Sequence, residues 1–208
     1  LKTLISGVVT GLSFGFIMAF VSSFFVLGVQ WLSGLLSSTR AINVDFFGKS
    51  LSVGPLIGLI AAVVFILIIR QLFGIIRWHG PADSIYAAHR TDNELDARHG
   101  FGSTIAAFVS ASGGASVGQY GPLVHFGATM GSVIRQVTGS KITTDVFIGC
   151  GVAGAIAAGF NAPIAGVVFA HEAILRHFSL RAIAPIAIAS ITAAWVSKWL
   201  FDANPLFM

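Results

Sequence analysis

Apolar residues run almost unbroken through the first third of the chain. No charged residue occurs between Lys2 and Arg40, and a second charge-free stretch runs from Ser50 to Ile69 and ends at Arg70. Each is long enough to predict a helix crossing a hydrocarbon core of about 30 Å, the first with substantial tilt. Trp31, near the end of the first stretch, suits a membrane–water interface. Thr39 to Lys49, holding Arg40, Asp45 and Lys49, predicts an exposed turn between them.

The pattern then changes. Residues 77 to 100 hold Arg77, Asp83, Arg90, Asp92, Glu94, Asp96 and Arg98 with His79, His89 and His99, which predicts a solvated loop around a short helix. Its opening, Gly80-Pro81-Ala82-Asp83-Ser84, has proline just inside a helix start and polar side chains in the first turn. Past Gly100 the chain is apolar again but repeatedly interrupted. Gly113, Gly114, Gly118 and Gly121 with Pro122 form one break, Thr138 to Lys141 another, and Phe160-Asn161-Ala162-Pro163 a third before His171-Glu172. After the basic stretch Arg176 to Arg181, a last helix is expected to about Lys198. Short, broken helices at membrane depth must turn their freed backbone groups toward protein, water or a ligand, because lipid cannot satisfy them. The expected fold is therefore all-α: a polytopic, multi-pass membrane protein with tilted and broken helices, of the kind that forms a transporter or channel core.

Composition sharpens this reading. The 208 residues are 55% hydrophobic and only 10% charged, against about 25% charged in a soluble domain. The solvent is thus mostly a lipid bilayer. Twenty-four glycines suit close packing of membrane helices. The net charge of +4 is scattered, with no basic run that would mark a nucleic-acid partner. Lys2, Arg70, Arg77, Arg90 and Arg98 would fall on one side after two crossings, expected to be cytoplasmic. Cys150 is the only cysteine, which excludes an intrachain disulfide. His171-Glu172 with His177 lacks the spacing of a zinc helix, and no metal or cofactor is expected. The apolar stretch after Lys2 is too long for a cleavable signal peptide, and Leu1 suggests a sequence that begins partway into a longer protein.

The chemistry lies in the breaks. At the first, small residues up to Gly118 let one helix end, and Gly121-Pro122 starts another with proline at the first position. The early N–H groups of such a helix, with about half an elementary charge of dipole behind them, make an anion site that needs no full positive charge. Partial charges bind and release, as fast passage requires. Phe160-Asn161-Ala162-Pro163 repeats this grammar, and Gly80-Pro81 offers a third helix start. Spacing leaves open whether the three converge. Gly114-Ala115-Ser116-Val117-Gly118 fits a hydrolase nucleophile elbow, but that motif needs a preceding strand, so no enzymatic role is expected. His125, one turn into the new helix, is expected to pack.

Gly118-Gln119-Tyr120-Gly121-Pro122, with Gly127 and Gly131 beyond it, resembles the chloride channel and antiporter (CLC) family, whose motif reads Gly-Lys/Arg-Glu-Gly-Pro. Ala158-Gly159-Phe160-Asn161-Ala162-Pro163-Ile164-Ala165-Gly166 is similar to that family's second anion-binding segment almost residue for residue. The resemblance covers most of the chain and implies a homodimer with one anion pathway per subunit, built from two inverted repeats. Residues 1–208 would supply the first repeat, with the last two helices helping to form the dimer interface. It implies chloride or a similar halide as cargo, and a bacterial inner membrane as the expected location. Gly118, Gln119, Tyr120 and Gly121, with Phe160, Asn161 and Ala162, would then line the anion path. The family's serine motif is broken here, and Gly80 or Ser84 would take its place, with Asp83 repulsive unless protonated or turned outward. Tyr120 stands where the family has its gating glutamate, and Ala173 where antiporters have a second proton glutamate. Glu172 matches a glutamate shared by channels and antiporters, so its expected role is structural, an inner proton relay being the alternative. A tyrosine stays neutral near pH 7, though it can donate a hydrogen bond to a halide. The resemblance with both carboxylates lost points to passive or uncoupled anion transport. Its alternatives are an antiporter with a rearranged proton path and a non-conducting structural or regulatory relative.

Overall fold

The computed structural model describes residues 2–37, 43–46, 49–90, 95–116, 118–178 and 180–201, with side chains from Ile5 to Leu36 and from Val53 onward within those ranges. Arg40, Asp92 and Glu94, and the side chains of Lys2, Asp45 and Lys49, lie outside the description.

The first charge-free stretch forms α1 (Lys2–Ser37) and the second α2 (Gly54–Phe73). Between them, where a turn was expected, β1 (Asn43–Phe46) and β2 (Lys49–Ser52) pair antiparallel, Asn43 opposite Ser52 and Phe46 opposite Lys49. Helix α2 runs past Arg70 because that arginine closes the helix rather than breaking it. Gly74 adopts a left-handed φ of 64° there, and the Ile75 N–H returns to the Arg70 carbonyl. The polar loop holds α3 (Pro81–His89), and α4 (Ala97–Ser112) begins within it because Asp96 caps the His99 N–H.

Three helices form the middle of the molecule: α5 (Tyr120–Thr138), α6 (Thr144–Phe160) and α8 (Leu180–Phe201). Between α6 and α8 lie α7 (Pro163–Phe169) and a π-helical turn, Ala170–Leu175. Helix α6 is buried on all sides from Val146 to Ala155, packed against α1, α5 and α8. Small residues make this possible. A Cβ added at Gly127 would meet the Gly151 carbonyl, and one at Gly151 the Gly127 carbonyl, so α5 and α6 touch backbone to backbone. Gly11 and Gly15 let α1 approach α8 in the same way.

Helix α2 is the opposite case. Its apolar side chains are mostly exposed, including Leu56, Ile60, Val63, Val64 and Phe65, while Gly58, Ala62 and Ile69 face inward. An apolar surface of this kind suits lipid or further protein. Helices α1, α2 and α8 are each long and apolar enough to cross a membrane.

Candidate anion site at three helix starts

Helix α5 begins at Tyr120, not at Pro122. Gln119 is its N-cap, and Pro122 takes the third position. The first four N–H groups of a helix have no partner within it, so a proline there sacrifices nothing. At the other break, Asn161 turns the chain in the left-handed region at φ 51°, Ala162 caps α7, and Pro163 is its first residue. Asparagine is among the few side chains that tolerate this conformation. Helix α8 secures the turn: Ser190 Oγ donates to the Pro163 carbonyl at 2.7 Å, and Ser197 Oγ to that of Ala158 at 3.3 Å.

The starts of α3, α5 and α7 meet at one cavity of about 570 Å³. Pro81 lines it from α3, Tyr120 and Gly121 from α5, and Ala162 from α7; Val124, Ile156, Ala165 and Phe169 add apolar wall. Phe160 contributes its ring. As the last residue of α6, its own N–H belongs to that helix. Asn161 supplies the turn behind the cavity, while Gly118 and Gln119 lie on the approach to α5 and do not line it.

Tyr120 closes one side. Its ring lies 3.9 Å from that of Phe160, centroid to centroid, and its hydroxyl donates to the Gly159 carbonyl at 3.2 Å. A Cβ at Gly159 would collide with the tyrosine ring, so the glycine makes its seat. In this conformation the hydroxyl, which can donate a hydrogen bond to a halide, is engaged by protein.

Gly80 and Ser84 also serve elsewhere. The Gly80 N–H donates to Asp83 Oδ2 at 2.8 Å, which occupies the group a third anion contact would need. Asp83 also pairs with Arg77. Burial would raise its pKa, but hydrogen bonds from Arg77 and the Gly80 backbone outweigh that and hold the carboxyl below its ordinary value. Asp83 is thus ionised and spoken for, which answers how a carboxylate can stand at this helix start. Ser84 is fully buried and bonded at 2.8 Å to His125 Nδ1, 41 residues away. His125 is packed as expected, but with a polar partner that no local pattern signals.

His171 is buried, its Nδ1 at 3.2 Å from the His177 carbonyl, whereas Glu172 is exposed on the π-helical turn. Ser116 lies between α4 and α5, so the element directly before it is a helix, unlike a hydrolase elbow.

Comparison with known proteins agrees with this architecture. A family model for voltage gated chloride channels matches residues 61–208. The voltage-gated ClC-type chloride channel ClcB of Yersinia pseudotuberculosis is 26% identical over 177 residues, covering 84% of this chain and 42% of that protein. The channel of the same name in Shigella flexneri is 27% identical over 186 residues, covering 87% of this chain and 43% of that one. The crystal structure of a CLC-type fluoride/proton antiporter superposes with a TM-score of 0.73 at 22% identity, covering 95% of this chain and 47% of that one. The chain therefore spans less than half the length of each of these proteins, and shares the antiporter's fold over nearly all of its own.

Proposed function

Because the chain belongs to the voltage-gated chloride channel family, we propose that it forms the first inverted repeat of a membrane protein that moves chloride or a similar small anion, without obligatory proton exchange. The observation that carries this reading is the meeting of three helix starts at a single cavity, with a neutral tyrosine on its wall. Helix dipoles at α5 and α7 favour an anion between Gly121 and Ala162 without fixing it there. The apolar walls keep the dielectric low, which strengthens those partial charges. Tyr120 is a movable plug: swung off Phe160, it opens the cavity and frees a hydroxyl for a passing anion.

A carboxylate in the place of Tyr120 could compete with the anion and carry a proton; a phenol with an ordinary pKa near 10 cannot do so near neutrality. This favours a passive or uncoupled pathway over an exchanger. Homodimerisation through α7, the π-helical turn and α8, and residence in a bacterial inner membrane, complete the proposal. The test is flux from reconstituted vesicles of the full-length protein under a chloride gradient. Anion flux with no uphill proton movement supports the reading. Robust chloride-driven proton pumping refutes it, and absent flux leaves the non-conducting alternative.

A further inference from the structure

Pro81 is a wall with two sides. It also lines a second cavity, of about 280 Å³, bordered by α2, α4 and the starts of α3 and α5. Its polar lining comes from His79, His125, Ser103, Thr104 and Ser110. We propose that this second cavity is a separate binding site for a small monovalent anion of the halide class, held by the paired imidazoles of His79 and His125.

Two buried nitrogens carry the argument. His125 is 1% exposed, yet its Nε2 has no hydrogen-bond partner, and neither does the buried Nδ1 of His79. Their rings stand 6.0 Å apart, edge to face, and both line the same space. A buried polar nitrogen without a partner is costly, and native structures rarely keep one unless a ligand, ion or water meets it. Two at one cavity point to something bound there.

Donor chemistry selects the ligand. With the Ser84 hydroxyl donating to Nδ1 of His125, that ring carries its proton on Nε2. A proton on Nδ1 of His79 gives a second N–H. Ser103 Oγ accepts the His79 backbone N–H at 2.9 Å and keeps its own hydrogen to donate. Three donors around one small space suit a halide, and neutral rings suffice. The surrounding charges do not oppose it. Asp83 is neutralised by Arg77 and the Gly80 N–H, and Asp96 is engaged by His99, which stacks on His79. Among the residues that line the cavity, α2 contributes only Ile66, which brings no charge.

This inference does not rest on the flux proposed above, and one experiment separates them. Crystals of the intact protein equilibrated with bromide are expected to give an anomalous peak between His79 and His125. His125→Leu should reduce its occupancy roughly tenfold, about the value of one lost hydrogen bond to an anion. His125→Gln, whose amide still donates, should keep it. A peak unchanged in both His125→Leu and His79→Phe, or no peak in the wild type, overturns the proposal. A peak here with none beside Tyr120 and Ala162 would count against the helix-start site and leave this one standing. Should His125→Leu fail to fold, bromide titration of the wild-type imidazole ¹⁵N resonances decides. A saturable shift at Nε2 of His125 is expected, and its absence overturns the site.

Discussion

At the break after α6 only Asn161 and Ala162 separate it from α7, whereas the longer stretch 113–119 separates α4 from α5. By resemblance, the tight turn keeps the family's residues almost unchanged, and the long one keeps the glycine frame with Gln119-Tyr120 in place of its charged centre. Both deliver a helix start to one cavity. The tight turn has no side chain long enough to occupy it. The loose one brings a large ring, and that ring is seated on the glycine just before the tight turn. On the proposed reading, one break supplies the fixed part of the site and the other its moving part.

This division can be attacked directly. Tyr120→Ala should have the largest effect: loss of the ring stack and hydroxyl contact, worth about 1–2 kcal/mol together, should raise anion flux roughly tenfold. Unchanged flux in vesicles would deny the tyrosine a closing role. Tyr120→Glu should make flux depend on pH. The carboxylate competes with the anion when ionised, so flux falls as pH rises through the new group's pKa and recovers below it. A flat pH profile would show that the residue does not face the path. Gly159→Ala should mimic part of Tyr120→Ala, because the added methyl displaces the ring from its seat; reduced quenching between the ring and its surroundings, with raised flux, would register this. The smallest effect belongs to the fixed part. Asn161→Ala should cost about 1 kcal/mol of stability through left-handed strain, while Asn161→Gly should be nearly neutral in thermal unfolding.

Much of this was readable in the sequence. Charge-free length located α1 and α2, glycine and proline the breaks before α3, α5 and α7, and the basic stretch Arg176 to Arg181 the break before α8. What escaped has physical reasons. Pro122 marked the start of α5 two residues late, since proline fits anywhere among the first unpaired N–H groups. The paired strands 43–46 and 49–52 are only four residues each, too short for the alternation in Asn43-Val44-Asp45-Phe46 to stand out. Ser84 meets His125 across 41 residues, and Tyr120 meets Gly159 across 39; periodicity reports faces of one helix, not partners on another. The capping of Gly80 by Asp83 was the exception that could have been found. A carboxylate three residues after a helix cap can reach back to the cap's N–H, and it removes the conflict that an acidic residue near an anion seemed to pose.

The contact between Gly127 and Gly151 has one more consequence. Where two helices meet through side chains, their spacing can drift as rotamers exchange; here it is set by atoms that have no rotamers. Tyr120 and Phe160 sit at the ends of that same pair of helices, so the width of the opening between them inherits a tolerance closer to that of a covalent frame than of a packed core. Selection by size, wherever it occurs along this path, would be calibrated by two residues that never touch the cargo.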